Sequence, residues 1–141
     1  MSAPLLLDAS VWLAALDRDD RYHAEARHLL EGAAAGTVVL AALDLTLYEV
    51  ANVAVVRWGS PRDARRLVTM VRLACPETFE RADEDLLNEA ATMAARHDLT
   101  VYDGAYVAAA RRRGWTLVSG DLRDLVTPGL ALSPDTATST P

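Results

Sequence analysis

Four acidic residues are spaced along the chain in a way that suggests one shared metal site. Asp8 and Asp121 each come shortly after a short apolar run, Glu49 lies inside a helical pattern, and Asp103 opens another helix. Carboxylates a few ångströms apart raise one another's pKa, so near neutral pH such a cluster is stable chiefly with a divalent cation. Magnesium prefers oxygen ligands and is usually held by a few carboxylates together with substrate phosphate. These residues therefore indicate metal-dependent phosphodiester chemistry.

Each of these acids also has an ordinary structural explanation. Asp8 and Asp103 suit helix caps, and Asp121 suits a turn. Glu49 suits an ion pair with an arginine, but it is the hardest of the four to explain in that way. The pattern around it places Glu49 beside the apolar face of its helix, where an unpaired carboxylate is costly.

The composition is that of a globular domain without lysine. The 141 residues suffice for one domain with its own core, and 51% of them are hydrophobic. All 14 basic residues are arginine, which excludes mechanisms that need a lysine, such as P-loop phosphate binding and Schiff-base catalysis. The single cysteine, Cys75, cannot form an internal disulfide and is expected to be a buried thiol.

The first residues predict neither a secretory signal nor a membrane span. They include no basic residue, and Asp8 interrupts the apolar run that follows. We therefore expect a cytoplasmic protein that makes no contact with a membrane.

The net charge of −6 argues against a broad nucleic-acid-binding surface, because affinity for a polyanion normally comes from clustered cations. Two local groups of arginines are nevertheless present. One group is the run Arg111, Arg112 and Arg113, and the other comprises Arg57, Arg62, Arg65 and Arg66. Either group could hold phosphates or form an ordinary solvated helix face.

Apolar periodicity predicts strands that alternate with helices. The predicted strands are Leu5–Leu7, Val38–Ala41, Thr78–Glu80, Trp115–Val118 and Leu130–Leu132. The predicted helices are a short one after Ser10, then Arg21–Ala35, Thr46–Trp58, Pro61–Ala74, one capped by Asp83 that runs to His97, and Ala105–Arg113.

This alternation predicts an α/β fold with right-handed crossovers and a central parallel sheet. Ligands of such folds bind outside the carboxyl ends of the strands, where Asp8 and Asp121 are expected. The globular domain is predicted to cover residues 1–132. Residues 133–141 are rich in Ser, Thr and Pro and are predicted to form a disordered tail.

Four sequence segments resemble the PIN-domain ribonucleases, in particular the VapC toxins of bacterial toxin–antitoxin pairs. These segments are LLLDASVWL with Asp8 and Ser10, LYEVANV with Glu49 and Asn52, LTVYDGAYVAAA with Asp103, and LVSGDLRDL with Asp121. Their order and spacing match the family across nearly the whole chain. Two departures are Ser119, where the family usually has threonine, and Gly104, where it often has alanine.

The resemblance implies a three-layer α/β/α domain with a central five-stranded parallel sheet. It implies that Asp8, Glu49, Asp103 and Asp121 are catalytic and hold the metal, which is Mg²⁺ or Mn²⁺. The implied activity is that of an endoribonuclease toxin that cleaves RNA and inhibits translation and growth. The implied partners are RNA, a cognate VapB-type antitoxin and a second copy of the chain in a homodimer.

Several residues near these acids have roles that the sequence leaves open. Asp124 lies one helical turn beyond Asp121 and is either an added ligand or a surface cap or ion-pair partner. Asn52 either orients Glu49 or has a packing or capping role. Tyr102 and Tyr106 either stack on bases or belong to the core.

Catalysis by histidine without a metal is not favoured, because His23 and His28 are five residues apart and do not share a helix face. A receiver-like signalling domain is also disfavoured, because it would need a late lysine. Two alternatives to a toxin stay open: a PIN nuclease that processes RNA, and a non-catalytic PIN module that binds RNA or protein.

Overall fold

Four parallel strands form the centre of the computed structural model, which describes residues 2–139. They are β1 (Leu5–Leu7), β2 (Leu40–Leu43), β3 (Phe79–Glu80) and β4 (Thr116–Val118). Their order across the sheet is β3-β2-β1-β4, so β1 is central and pairs with both β2 and β4. The carboxyl ends of β1 and β4 therefore lie side by side.

Helices connect these strands. They are α1 (Ala9–Leu16), α2 (His23–Ala35), α3 (Asp44–Val56), α4 (Pro61–Ala74), α5 (Glu84–His97), α6 (Val101–Arg113) and α7 (Pro134–Ser139), with a π-helical turn at Leu122–Val126. None of the helices within residues 2–139 combines the length and apolar character that crossing a bilayer requires.

Alternate residues of the strands enter two separate cores, one on each face of the sheet. Leu7 and Val118 contribute to a core with residues of α1 to α4, whereas Leu6 and Leu117 contribute to a core with residues of α5 and α6. A strand buried on both faces needs apolar residues at every position, which explains the uniform run at β1. The predicted three-layer α/β/α arrangement with a parallel sheet is confirmed.

The predicted number of strands is wrong, because the described residues form four strands rather than five. At Leu130–Leu132 only one parallel bridge forms, between Leu132 and Val118. The backbone N–H groups of Leu130 and Ala131 both donate to the carbonyl of Leu125, so they turn away from the sheet edge. Only Leu132 is left to pair with β4.

The chain after Ser133 also differs from the predicted disordered tail. Pro134–Ser139 form α7, which packs against α2 and buries Pro134 and Ala137. Ala137 adds a small apolar surface to the core that contains α2, although the segment has no clear apolar period. Residues 140 and 141 lie outside the described residues.

Helix α6 begins four residues earlier than the predicted Ala105, with Thr100 as its N-cap. The Thr100 hydroxyl accepts a hydrogen bond from the backbone N–H of Asp103 at 3.1 Å. Asp103 is therefore inside the first helical turn. The position of its side chain is therefore fixed by the helix backbone and not by a loop.

Candidate metal centre

Asp8 lies directly after β1 and caps α1. One carboxylate oxygen, Oδ1, accepts hydrogen bonds from the backbone N–H of Ser10 at 3.1 Å and from the Ser10 hydroxyl. The other oxygen, Oδ2, accepts from the hydroxyl of Ser119. The side chain is only 6% exposed, so the carboxylate is fixed by hydroxyl donors at the carboxyl edge of the sheet.

The hydroxyls that hold Asp8 are themselves oriented by the loop after β4. The Ser10 hydroxyl accepts from the backbone N–H of Gly120, and the Ser119 hydroxyl accepts from the backbone N–H of Asp121, both at 2.9 Å. Each hydroxyl therefore directs its own proton to Asp8. This gives Ser10 and Ser119 a role in joining two loops around one carboxylate, and it explains why serine at position 119 can replace threonine.

Three acids lie close enough to share one cation. Carboxylate oxygens of Asp103, Asp121 and Asp124 are all within 4.8 Å of one another, and all three side chains are partly buried. The Asp121 carboxylate also accepts from the backbone N–H of Asp124 at 3.0 Å, which holds the two acids on one turn. Asp124 also pairs with Arg123 at 3.1 Å, so its ion-pair role is confirmed, whereas its role as an added ligand stays a prediction.

Glu49 approaches the centre from α3 and is fixed by a tyrosine of α6. The hydroxyl of Tyr106 donates to Glu49 Oε1 at 2.6 Å, and the same hydroxyl lies 2.7 Å from the hydroxyl of Thr46. Burial raises the pKa of Tyr106 well above its ordinary value, and the charges of Glu49 and Asp8 add to that rise. Tyr106 therefore stays protonated and acts as a donor.

Electrostatics joins these acids into one cluster. Burial raises the pKa of Asp8 to about 6, against the opposing effect of its serine donors, and the charges of Asp103 and Glu49 raise it further. Burial also raises the pKa of Glu49, with the Asp103 charge as a smaller cause. Burial raises the pKa of Asp103, and the charges of Asp121 and Asp124 add to the effect.

The donor set fits a hard divalent cation. All the groups that converge are carboxylates, and within residues 2–139 no arginine forms an ion pair with Asp8, Glu49, Asp103 or Asp121. The residues that could share one cation are Asp103, Asp121 and Asp124, with Asp8 and Glu49 on the Asp103 side. Oxygen ligands of this kind suit Mg²⁺ and Mn²⁺.

The pKa shift of Asp8 predicts how pH affects the metal-free protein. The folded state keeps a proton on Asp8 up to about pH 6, whereas the unfolded chain releases it at lower pH, so the free energy of unfolding falls as pH rises across that window. Asp8→Asn mimics the protonated form. In EDTA this variant is expected to melt several degrees above wild type at pH 7.5 and within about a degree at pH 4.5.

Thermal melts of both proteins at the two pH values, in EDTA and in millimolar Mg²⁺, check this prediction. Mg²⁺ should raise the melting temperature of the wild type at pH 7.5, because a cation stabilises the ionised carboxylate. An Asp8→Asn difference that is the same at both pH values would show that Asp8 is not the group responsible.

The remaining candidates lie elsewhere or serve other roles. Arg112 and Arg113 both pair with Glu80, a buried carboxylate at the end of β3, so these two arginines link α6 to the edge strand. Tyr102 is 62% exposed, so the core role among its two interpretations is wrong, and Asn52 is exposed on α3. The sequence reasoning missed that Tyr106 contacts Glu49.

A spacing signal for that contact was present. Thr46 precedes Glu49 by three residues on α3, and Tyr106 follows Asp103 by three residues on α6. Residues at this separation are neighbours on a helix surface, so polar groups one turn from two expected ligands were candidates to contact them.

The chain is an α/β domain with a parallel sheet between two helical layers. Its acidic site lies at the carboxyl ends of the strands. The PIN domain family model matches residues 5–126. The chain therefore belongs to the PIN-domain family. A comparison with curated proteins by sequence found no match.

Solved structures with the same fold come from several organisms. PAE2754 from Pyrobaculum aerophilum is 25% identical with a TM-score of 0.69, and the match covers 96% of this chain and 87% of that chain. VapC20 of Mycobacterium tuberculosis, described as a sarcin–ricin loop cleaving toxin, is 22% identical with a TM-score of 0.69, covering 89% of this chain and 95% of that chain.

A toxin–antitoxin complex from Klebsiella pneumoniae is 20% identical with a TM-score of 0.65, and the match covers 94% of this chain and 98% of that chain. The similarity to VapC-type PIN domains that the sequence motifs indicate is thus confirmed at the level of the fold.

Proposed function

We propose that this protein is a divalent-metal-dependent endoribonuclease that acts as the toxin of a toxin–antitoxin pair. The observation that carries the proposal is the convergence of Asp8, Glu49, Asp103, Asp121 and Asp124 at one edge of a PIN-type sheet. The fold similarity to a sarcin–ricin loop cleaving toxin supports RNA as the substrate class.

The residues of the site have separable roles in this chemistry. Asp103, Asp121 and Asp124 would hold the cation, and Asp8 would stand beside them, fixed by its serine donors. When bound, the cation supplies Lewis-acid stabilisation of charge on the phosphoryl oxygens. Tyr106 donates to Oε1 of Glu49, and no group within residues 2–139 donates to Oε2. Oε2 would then accept a proton or bind the cation.

A cation is also what makes the acidic edge compatible with RNA. The chain carries a net charge of −6, and the clustered carboxylates repel a phosphate backbone. Neutralising the cluster removes this repulsion where the scissile phosphate must sit. We therefore expect both binding and cleavage of RNA to depend on Mg²⁺ or Mn²⁺.

Exposed apolar side chains support a protein partner. On α3 the residues Tyr48, Val55 and Val56 are exposed, and Leu73 is exposed near the end of α4. These are four of the eight large apolar residues that are exposed within residues 2–139, and exposed apolar surface of this kind is characteristic of interaction sites. We assign this surface to the homodimer and to an antitoxin whose basic side chain would neutralise the acids.

Cleavage of a mixed cellular RNA pool by purified protein tests the function. We expect discrete fragments with Mg²⁺, none with EDTA, and none from Asp8→Asn prepared identically, because the carboxylate charge is required. Intact RNA after incubation with folded, antitoxin-free wild type would instead favour a non-catalytic PIN module. Cleavage without growth inhibition on expression would favour an RNA-processing nuclease.

A further inference from the structure

Two buried hydroxyls connect Glu49 to the protein core. Thr46 is 0% exposed and Tyr106 is 1% exposed, and their oxygens lie 2.7 Å apart. Tyr106 in turn lies 2.6 Å from Glu49 Oε1. The three side chains form a continuous chain of hydrogen bonds that begins in the core and ends at the acidic cluster.

The donors and acceptors along these hydrogen bonds follow from the number of hydroxyl protons. An ionised carboxylate can only accept, so the single hydroxyl proton of Tyr106 must point to Glu49. The oxygen of Tyr106 is then left as an acceptor, and the proton of Thr46 points to it. With Glu49 ionised, the Tyr106 hydroxyl donates to Glu49 and accepts from the Thr46 hydroxyl.

The same contacts link the two helices that supply acids to the site. Thr46 and Glu49 lie one turn apart on α3, and Asp103 and Tyr106 lie one turn apart on α6. The bond from Tyr106 to Glu49 therefore sets the position of a carboxylate on one helix relative to a carboxylate on the other. The ring of Tyr106 is buried in the core that α6 forms with α5 and the sheet, so this reference point is closely packed.

We propose that Tyr106 and Thr46 are positioning residues that hold Glu49 Oε1 and so present Glu49 Oε2 to the cation and substrate. This inference rests on the proposed function and assigns a role to residues that are not ligands themselves. A glutamate has several rotatable bonds, and a partly buried one without a fixed partner would occupy several rotamers. Holding one oxygen selects the rotamer that serves the site.

Binding of Mn²⁺ to the purified protein, without RNA, is the first test. Tyr106→Phe removes one oxygen atom and is expected to weaken Mn²⁺ binding about 10-fold to 100-fold, the effect typical of groups that orient metal ligands. Tyr102→Phe is the matched control, because it removes an exposed hydroxyl from the same helix. The control should bind Mn²⁺ as tightly as wild type.

A double-mutant cycle separates positioning from a general structural effect. Glu49→Gln removes the group through which Tyr106 is inferred to act, so adding Tyr106→Phe to Glu49→Gln should change the Mn²⁺ dissociation constant less than twofold. If the effects of the two substitutions on the Mn²⁺ dissociation constant multiply instead, Tyr106 does not act through Glu49 and the inference is overturned. Thr46→Val should give a smaller loss than Tyr106→Phe, and Thr46→Ser should restore wild-type binding.

These outcomes distinguish this inference from the proposed function. If wild type binds Mn²⁺ and the cycle behaves as stated but no RNA is cleaved, the function fails and the positioning role stands. If RNA is cleaved while Tyr106→Phe leaves Mn²⁺ binding and kcat unchanged, the positioning role fails alone. If Tyr106→Phe does not fold, the double-mutant cycle is run with Thr46→Val instead. Absence of Mn²⁺ binding by the wild type would overturn both the proposed function and the positioning role.

Discussion

Asp103→Asn is expected to lower the rate of metal-dependent RNA cleavage by about 100-fold to 1,000-fold, because cation stabilisation is worth several kcal/mol and about 1.4 kcal/mol corresponds to a factor of ten. Asp103 is the acid that interacts with each of the other four acids of the site. It lies with Asp121 and Asp124 in one group of carboxylates, and its charge raises the pKa of both Asp8 and Glu49. Asparagine keeps the shape but removes the charge.

Asp63→Asn is a closely matched control for this substitution. Asp63 stands at the same position of α4 as Asp103 does of α6, since the backbone N–H of each donates to a capping hydroxyl three residues earlier. Both substitutions remove a negative charge from a first helical turn, where it is favourable. A general effect on helix stability would appear in both variants, whereas only Asp103→Asn should lose cleavage and Mg²⁺ binding.

Kinetics at saturating Mg²⁺, with thermal melts of both variants, check the prediction. In EDTA, Asp103→Asn should melt no lower than Asp63→Asn, because the loss of repulsion within the acidic cluster offsets the loss of the helix-end charge. An Asp103→Asn protein that cleaves RNA at the wild-type rate would remove this residue from the mechanism.

Strands and helices with strong apolar patterns were predictable from the sequence. The helix Pro61–Ala74 and the strand Leu5–Leu7 have the predicted bounds, because a proline start and a uniform apolar run leave few alternatives. At Leu130–Leu132 the apolar pattern is correct, yet hydrogen bonds to the Leu125 carbonyl prevent an extended strand. A contact of this kind depends on the preceding turn, which periodicity does not describe.

The site shows the same division between local pattern and tertiary contact. Asp8 and Asp121 could be placed at the carboxyl edge because strand ends in a parallel sheet coincide. For Asp124 the sequence left a ligand role and a surface role open, because its distance to Asp103 depends on how the turn Leu122–Val126 folds against α6. The contact between Tyr106 and Glu49 depends on the packing of α3 near α6, which a single sequence does not specify.

The second large effect is expected at Gly104, which lies next to Asp103 where α5 and α6 pack together. A Cβ atom at Gly104 would stand 2.3 Å from the carbonyl oxygen of Ala90 and 3.1 Å from the backbone nitrogen of Ala94. Both contacts are to backbone atoms, so no side chain can rotate away and α5 and α6 must move apart. The glycine therefore has a packing role beyond the helix flexibility that its residue type suggests.

Gly104→Ala is expected to destabilise the protein by about 1–2 kcal/mol, because an overpacking cost of up to about 3 kcal/mol outweighs the gain of about 1 kcal/mol in helix propensity. The shift also displaces Asp103, so Mn²⁺ binding should weaken together with the melting temperature. Gly114→Ala is the matched control: Gly114 has φ +69° with nothing within 4 Å of an added Cβ, so it should lose about 1 kcal/mol from backbone strain alone. Calorimetric melts and Mn²⁺ titrations of both variants check this prediction. A Gly104→Ala protein as stable as wild type would contradict the close contact between α5 and α6. Unchanged Mn²⁺ binding would show that this contact does not position Asp103.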